Sequence, residues 1–477
     1  MLNLVKTKAN LMPLQNIKIH SDYELLKKYD VSGPRYTSYP TAAQFDPAFN
    51  ENMYLEQMQN NVENIAPLSL YIHLPFCQSI CYYCACNKIV SKDKSVVRNY
   101  LNHLQKEMAI LRLQLNLYKR PVTQLHWGGG TPTFLDVGEM TELMHYTARY
   151  FNLTNDESHD YSIEIDPRTA TESTIDFLRG IGFNRISLGI QDFNPVVQKA
   201  VNREQSIDSI TQLVEYIRAR SFRSLNFDLI YGLPHQNEKS LNETIDSLVK
   251  LSPDRINFYN YAHLPQRFTS QRAIDRLTLP SAEEKLRMLS TIIDRLTDAG
   301  YIYIGMDNFV KPGDSLAIAA SHGKLYRNFQ GYSVAHAKEL VGLGVSSISS
   351  FERFYSQNYR DLDSYYKALD NNQLPIEQGM QLSDEDELRS TIIQQLICYR
   401  KLNINDIEKR YAVNFMQHFA DAIKKLKPLV DDNIVEVSKE LITIPQQGFP
   451  FLRNICMAFD AYIDESLLRG YTYSKTL

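Results

Sequence analysis

The chain has 477 residues, enough for two to four domains or one large barrel with appendages. Its 44% hydrophobic and 22% charged residues, with 19 Gly and 19 Pro, exclude a disordered, collagen-like or coiled-coil chain. A formal charge of −4 argues against a whole-protein nucleic-acid footprint, and no apolar stretch approaches the roughly 18 to 20 residues of a membrane span. Residues 1 to about 17 read as a weakly structured extension without a signal peptide's apolar run, so a cytoplasmic address is expected, with no membrane or nucleic-acid partner. Residues 1–67 make an extension and arm that carries the loop GPRYTSYPTA. From 68 to about 370, β-rich runs alternate with helical segments, the pattern of βα units that build a parallel sheet. The expected strands are 69–74, 122–127, 161–165, 185–190, 224–230 and 255–260. Between the first two, Val97, Leu101, Leu104, Met108 and Leu111 recur at helical spacing and mark an amphipathic helix. Further helices are expected at about 137–152, 171–181, 205–220, 237–251 and 282–299. Residues 371–477 read as a mostly helical C-terminal domain with a hairpin near 434–444.

Nearly every expected strand ends in polar or glycine-rich chemistry: HLPFC, GGGTPT, EIDPR, GIQDFN, DLIYGLP and NYAHLP. TIM-type barrels assemble their sites from the C-terminal strand ends, so the fold class is α/β, a partial (β/α)6 barrel with an arm and a C-terminal domain. Four of the six cysteines, Cys77, Cys81, Cys84 and Cys86, fall within ten residues, while Cys398 and Cys456 stand alone. Clustering of this kind in a long chain points to metal or redox chemistry rather than a disulfide framework. Three thiolates at C-x-x-x-C-x-x-C spacing can hold three corners of a [4Fe–4S] cluster and leave one iron open. A zinc site is the structural alternative, but it wants four ligands and there is no second C-x-x-C. Cys86 follows Cys84 by one residue, a tight spacing for a fourth ligand to the same cubane, which favours a neighbouring non-ligand role. The turn Gly128-Gly129-Gly130-Thr131 lacks Cβ atoms where a backbone would approach a bound cofactor. By itself such a run is also what a tight loop needs.

C-x-x-x-C-x-x-C directly after a first strand resembles the radical S-adenosylmethionine (SAM) enzymes. A narrower resemblance rests on GPRYTSYPTA at 33–42, LYIHLPFC ending at Cys77, CACNK at 84–88 and LHWGGGTPT at 125–133. It continues through IEIDPR at 163–168, GIQDFN at 189–194, VNREQ at 201–205, DLIYGLP at 228–234, YNYAHLP at 259–265, NFQGY at 328–332 and RNIC at 453–456. Together these resemble the oxygen-independent coproporphyrinogen III oxidases of haem biosynthesis over about residues 20 to 460. The resemblance implies oxidative decarboxylation of two propionates of coproporphyrinogen III to vinyl groups through a 5′-deoxyadenosyl radical. It also implies Cys77, Cys81 and Cys84 as cluster ligands and two SAM molecules. Tyr71, Glu164 and Gly129 would contact the cluster-bound SAM. Gly130, Thr131, Gln191, Arg203, Asp228, Ala262 and Ile348 would contact the second, with Tyr83 beside it. The electron donor is unidentified, a monomer is expected, and no catalytic side chain is assigned, Cys86 being the candidate.

The sequence departs from the family pattern at Ala85, Tyr83 and Asn308, where Gly, Phe and His are usual. Ala85 would strain the loop if that position needs φ > 0. His73, His126 and His263 read as hydrogen-bonded structural residues. Arg35 and Tyr36 in the arm could reach over the barrel mouth to a substrate carboxylate. The rival reading is a haem-binding chaperone of the same superfamily, a branch that usually lacks Cys86 and the GPRYTSYP arm.

Overall fold

The computed structural model describes residues 22–59, 64–115, 117–156, 159–334, 337–463 and 473–477. The expectation for residues 1 to 17 lies outside them. Leu68–Leu74 (β1), Pro121–Gly129 (β2), Asp160–Ile165 (β3), Arg185–Gln191 (β4), Ser224–Tyr231 (β5) and Arg255–Asn260 (β6) pair in parallel, in the order β6-β5-β4-β3-β2-β1. All six lie within two residues of their expected bounds. The helices that follow them are Ser95–Leu115 (α1), Val137–Tyr150 (α2), Glu172–Gly180 (α3), Ile207–Ala219 (α4), Glu238–Leu251 (α5) and Ala282–Asp298 (α6).

Local sequence sets these boundaries. α2, α5 and α6 open on capping boxes, Asp136 with Glu139, Asn237 with Ser240 and Ser281 with Glu284, which satisfy backbone N–H groups that a helix start leaves free. On α1 the stripe from Val97 to Leu111 is buried along its length against the sheet.

In the strands, period-two alternation sorts the two faces. Ile186, Leu188 and Ile190 of β4 are buried outward, while Arg185, Ser187, Gly189 and Gln191 face the concave side. The same holds for Asp160, Ser162 and Glu164 of β3, for Asn226 and Asp228 of β5, and for Arg255, Asn257 and Tyr259 of β6. The lumen is therefore polar, and it is a place for ligands rather than a packed apolar barrel core.

Beyond residue 300 the sheet grows at both edges, which the sequence pattern did not anticipate. Ile302–Gly305 and Asn308–Val310 add antiparallel strands outside β6. Glu339–Leu343 pairs parallel to β1, and Ile348–Ser350, Phe354–Asn358 and Ile376–Gln381 continue antiparallel. The main sheet thus runs past residue 370 to Gln381. The C-terminal region holds helix Asp384–Tyr399, shorter helices and a three-stranded sheet whose strands Glu436–Val437 and Leu441–Thr443 form the expected hairpin.

The arm is pinned by this region. Arg453 donates to the carbonyl oxygens of Pro34 (2.9 Å), Gly33 and Lys475, Asn454 donates to that of Tyr29, and the buried Tyr36 hydroxyl donates to Asp460. The RNIC motif is therefore a clamp on the GPRY segment. Tyr36 is turned into the C-terminal region rather than over the barrel mouth, because its ring fills apolar space and its hydroxyl has a buried acceptor.

Gly342, opposite Tyr71 in the register, leaves no room for a side chain: a Cβ there would lie 2.4 Å from the Ile348 carbonyl oxygen. Backbone cannot swing away as a flexible side chain can. Gly342→Ala is expected to destabilise the protein by about 1–3 kcal/mol, read as a lower midpoint in urea unfolding; an unchanged midpoint would show that the strand pair opens freely.

Candidate active site

The cysteine loop hangs between two strand ends. After β1, Gly130 N–H donates to Leu74 O and Thr131 N–H to Phe76 O, both at 2.8 Å, so the glycine turn and the loop backbone lie against each other. Ile89 N–H donates to Pro75 O at 2.7 Å and closes the loop's far side. A Cβ on Gly130 would lie 2.6 Å from the Pro75 carbonyl, and Gly129 has φ +115°, so the run GGG is required by approach at one position and by conformation at the other. His73, 5% exposed, ties the same parts together: Nδ1 is 3.0 Å from the Tyr71 hydroxyl and Nε2 is 3.0 Å from Asn87 O. Burial holds its pKa below the usual value, which keeps the ring neutral for this bridging role.

The loop lines one wall of a cavity of about 1060 Å³ at the C-terminal strand ends. Cys77, Cys81, Cys84 and Cys86 all line it, together with Tyr83, Gly129, Gly130, Thr131, Glu164, Gln191, Arg203, Asp228 and Ala262. Thus most of the expected site residues meet in one space. Two do not line it. Tyr71 stands behind it, its ring stacked on His126 at 5.8 Å between centroids. Ile348 lies on an added antiparallel strand and packs with Phe45, Tyr355 and Leu382.

Electrostatics divide the cavity. Burial pushes the Glu164 pKa up, but hydrogen bonds from His126 and from Gly129 N–H (3.0 Å) outweigh it and hold the carboxyl below its usual range. Burial raises Asp228, although Ser187, Asn257 and Asn226 all donate to its carboxylate. At the loop, Arg203 and Arg168 place guanidinium nitrogens 3.6 and 3.7 Å from Cys81 Sγ, and both pair with Asp166. The Cys86 hydrogen bond is the main cause that brings the Cys84 thiol down to about 6, while burial pushes Cys77 up to about 11. Gln191 has φ +68°, a strained backbone for a non-glycine residue at the cavity wall.

Asp166 and Arg168 in IEIDPR and Lys88 in CACNK are site residues that the sequence motifs alone did not mark; Lys88 donates to Cys84 O at 3.0 Å. The signal available was a charged pair set directly after a strand end. Ala85 is not among the residues with positive φ, so its departure from Gly introduces no backbone strain. His126 and His263 are hydrogen-bonded, as expected, to Ser162 with Glu164 and to Tyr261.

Residues 71–248 match the radical SAM superfamily model and residues 382–451 match the HemN C-terminal domain. Oxygen-independent coproporphyrinogen III oxidase from Pseudomonas aeruginosa is 46% identical over 93% of this chain and 96% of its own length. The Escherichia coli protein of that name is 43% identical over 94% of this chain and 96% of its own. The chain belongs to the oxygen-independent coproporphyrinogen III oxidase family. The solved structure of coproporphyrinogen III oxidase (HemN) from Escherichia coli, described as a radical SAM enzyme, superposes with a TM-score of 0.88 at 41% identity, covering 94% of this chain and all of that one.

Membership of this radical SAM oxidase family implies a [4Fe–4S] cluster and SAM, and the residues present fit them. The three thiols at C-x-x-x-C-x-x-C spacing share one wall of the cavity with Cys86. That spacing suits the corners of a polynuclear group better than a zinc site. The cavity exceeds the upper end of the range for one drug-sized ligand, and the buried Arg203 Nε on its wall has no partner among the described residues.

Cys77→Ala, Cys81→Ala and Cys84→Ala are each expected to lose iron and acid-labile sulfide after anaerobic reconstitution, whereas Cys86→Ala retains both. Loss in the Cys86 variant would make that residue a ligand.

Proposed function

We propose that this chain decarboxylates two propionate side chains of coproporphyrinogen III to vinyl groups, giving protoporphyrinogen IX without oxygen. The observation that carries this reading is the near full-length relationship to the oxidases, combined with one cavity that collects the cysteine loop and the strand-end residues. The C–H bond β to a carboxylate is unactivated and beyond any side-chain base near neutral pH, so acid–base groups alone cannot start the reaction. When bound, the cluster and SAM supply hydrogen-atom abstraction, which such a bond requires.

The protein's own residues position and exclude. Cys77, Cys81 and Cys84 would hold the cluster. Glu164, kept ionised by His126 and Gly129 N–H, would accept a hydrogen bond from the amino group of the first SAM, with Tyr71 supporting it through His126. Gly129 lets that ligand approach backbone. Gly130, Thr131, Gln191, Arg203, Asp228 and Ala262 would receive a second SAM, with Asp228 suited to ribose hydroxyls and Tyr83 packed beside them. Each propionate that becomes a vinyl group also loses carbon dioxide and one electron, and that electron goes to an acceptor outside the chain.

Arg35 lines the cavity, and its guanidinium is 37% exposed and 3.1 Å from Asp307. A partly open arginine at the mouth fits a substrate that carries four carboxylates.

The test is anaerobic reconstitution followed by incubation with reductant, SAM and coproporphyrinogen III. Formation of 5′-deoxyadenosine together with protoporphyrinogen IX is expected, and absence of both would sink the assignment. Arg35→Ala should raise KM about tenfold, a loss of about 1.4 kcal/mol, with kcat little changed; an unchanged KM would remove Arg35 from substrate recognition.

A further inference from the structure

Beneath the main cavity, and continuous with it through Arg35, Glu164, Asp228 and Tyr259, lies a second space of about 320 Å³ inside the lumen. Three of its arginines are paired with carboxylates: Arg35 with Asp307, Arg185 with Asp160, and Arg255 with Asp314 at 2.9 Å. Arg327 is not. It comes from the hairpin of Leu325–Asn328 and Gly331–Val334, next to the NFQGY motif for which the proposed function has no use. The residue is 6% exposed, and its Nε and Nη1 are buried without a hydrogen-bond partner among the described residues. Tyr332 stacks on the guanidinium at 4.7 Å, which fixes its plane but brings no counter-charge.

The contrast with Arg453 is informative. That side chain is just as buried and also lacks a described carboxylate, yet its donors end on the carbonyl oxygens of Pro34, Gly33 and Lys475. Backbone oxygens explain Arg453 as a structural clamp, and no such set explains Arg327. A guanidinium does not deprotonate, so its burial is costly until an anion meets it, and its planar fork matches a carboxylate.

We propose that Arg327 is an inner anion subsite that docks one propionate carboxylate of the substrate. The inference rests on the reading above that the substrate is a tetracarboxylate. Arg35 and Arg327 also both line a small third cavity, so the two side chains are near neighbours. They hold the substrate by two carboxylates and leave the others to face the cysteine loop.

The test uses reconstituted full-length protein with coproporphyrinogen III under anaerobic conditions without SAM, so that binding is read without turnover, by calorimetry. Arg327→Gln should weaken binding at least tenfold and leave binding of the tetramethyl ester unchanged, with Arg327→Lys between wild type and Gln. In turnover, KM should rise more than kcat falls. Without ligand, Arg327→Gln should melt at or above the wild-type temperature, because an unmet buried charge has been removed. Unchanged affinity, equal losses for acid and ester, no binding by wild type, or a variant that melts lower or fails to fold would each overturn the subsite. Failure of the functional reading is separate: wild type would bind the tetracarboxylate in an Arg327-dependent way yet form no vinyl product.

Discussion

The closest backbone approach in the site, Gly130 against Pro75, is the constraint on which the rest depends. It lets the turn after β2 donate two backbone hydrogen bonds into the residues that lead to Cys77. The three thiols are thereby referenced to two adjacent strands rather than to a free loop. His73 adds the third tether, reaching from β1 to Asn87 beyond the last cysteine. The other tethers are backbone hydrogen bonds, and both ring nitrogens of His73 are engaged, by the Tyr71 hydroxyl and by Asn87 O. A site built on rigid strand ends can then carry a flexible-looking cysteine sequence.

The same strands build the polar lumen. Apolar side chains face the helices and polar ones face inward, so each strand contributes one chemical group per two residues along the axis. The inward groups form stacked levels: Arg185 and Ser187 below Gly189 and Gln191 on β4, and Asn226 below Asp228 on β5. Charges in these levels are mostly neutralised by neighbours, as buried charges must be. Arg168 and Arg203 follow this rule at the cysteine loop, where Asp166 holds both and two positive groups still face one sulfur.

How much of this was legible in the sequence follows from the period of each signal. The six barrel strands and their helices were legible because alternation and helical stripes are local. The strands after residue 300 were not, since runs of three to five residues flanked by turns carry too little pattern. Site residues at strand ends were legible for a related reason: a strand end in a parallel sheet has one place to point. Ile348 does not line the cavity: it lies on a strand added beyond β1 and packs against an apolar cluster. Tyr36 likewise sits beside Arg35 in sequence but turns into the C-terminal region, its backbone in the left-handed region at φ +47° and its hydroxyl on Asp460.

Pairing state is the property that sequence reports least. Arg327 and Arg453 are both single arginines beside Asn in otherwise apolar or aromatic surroundings, yet one is fully occupied by carbonyl oxygens and the other is not. The difference is one of placement: the arm, distant in sequence, folds back to meet Arg453, while Arg327's own hairpin carries it into the lumen. The clamp then does more than stabilise. By fixing Gly33 and Pro34 it sets where Arg35 emerges, so the C-terminal region positions a charge at the mouth of a cavity to which the strand ends give its walls. Arm, barrel and C-terminal region therefore meet at one site through a single buried guanidinium.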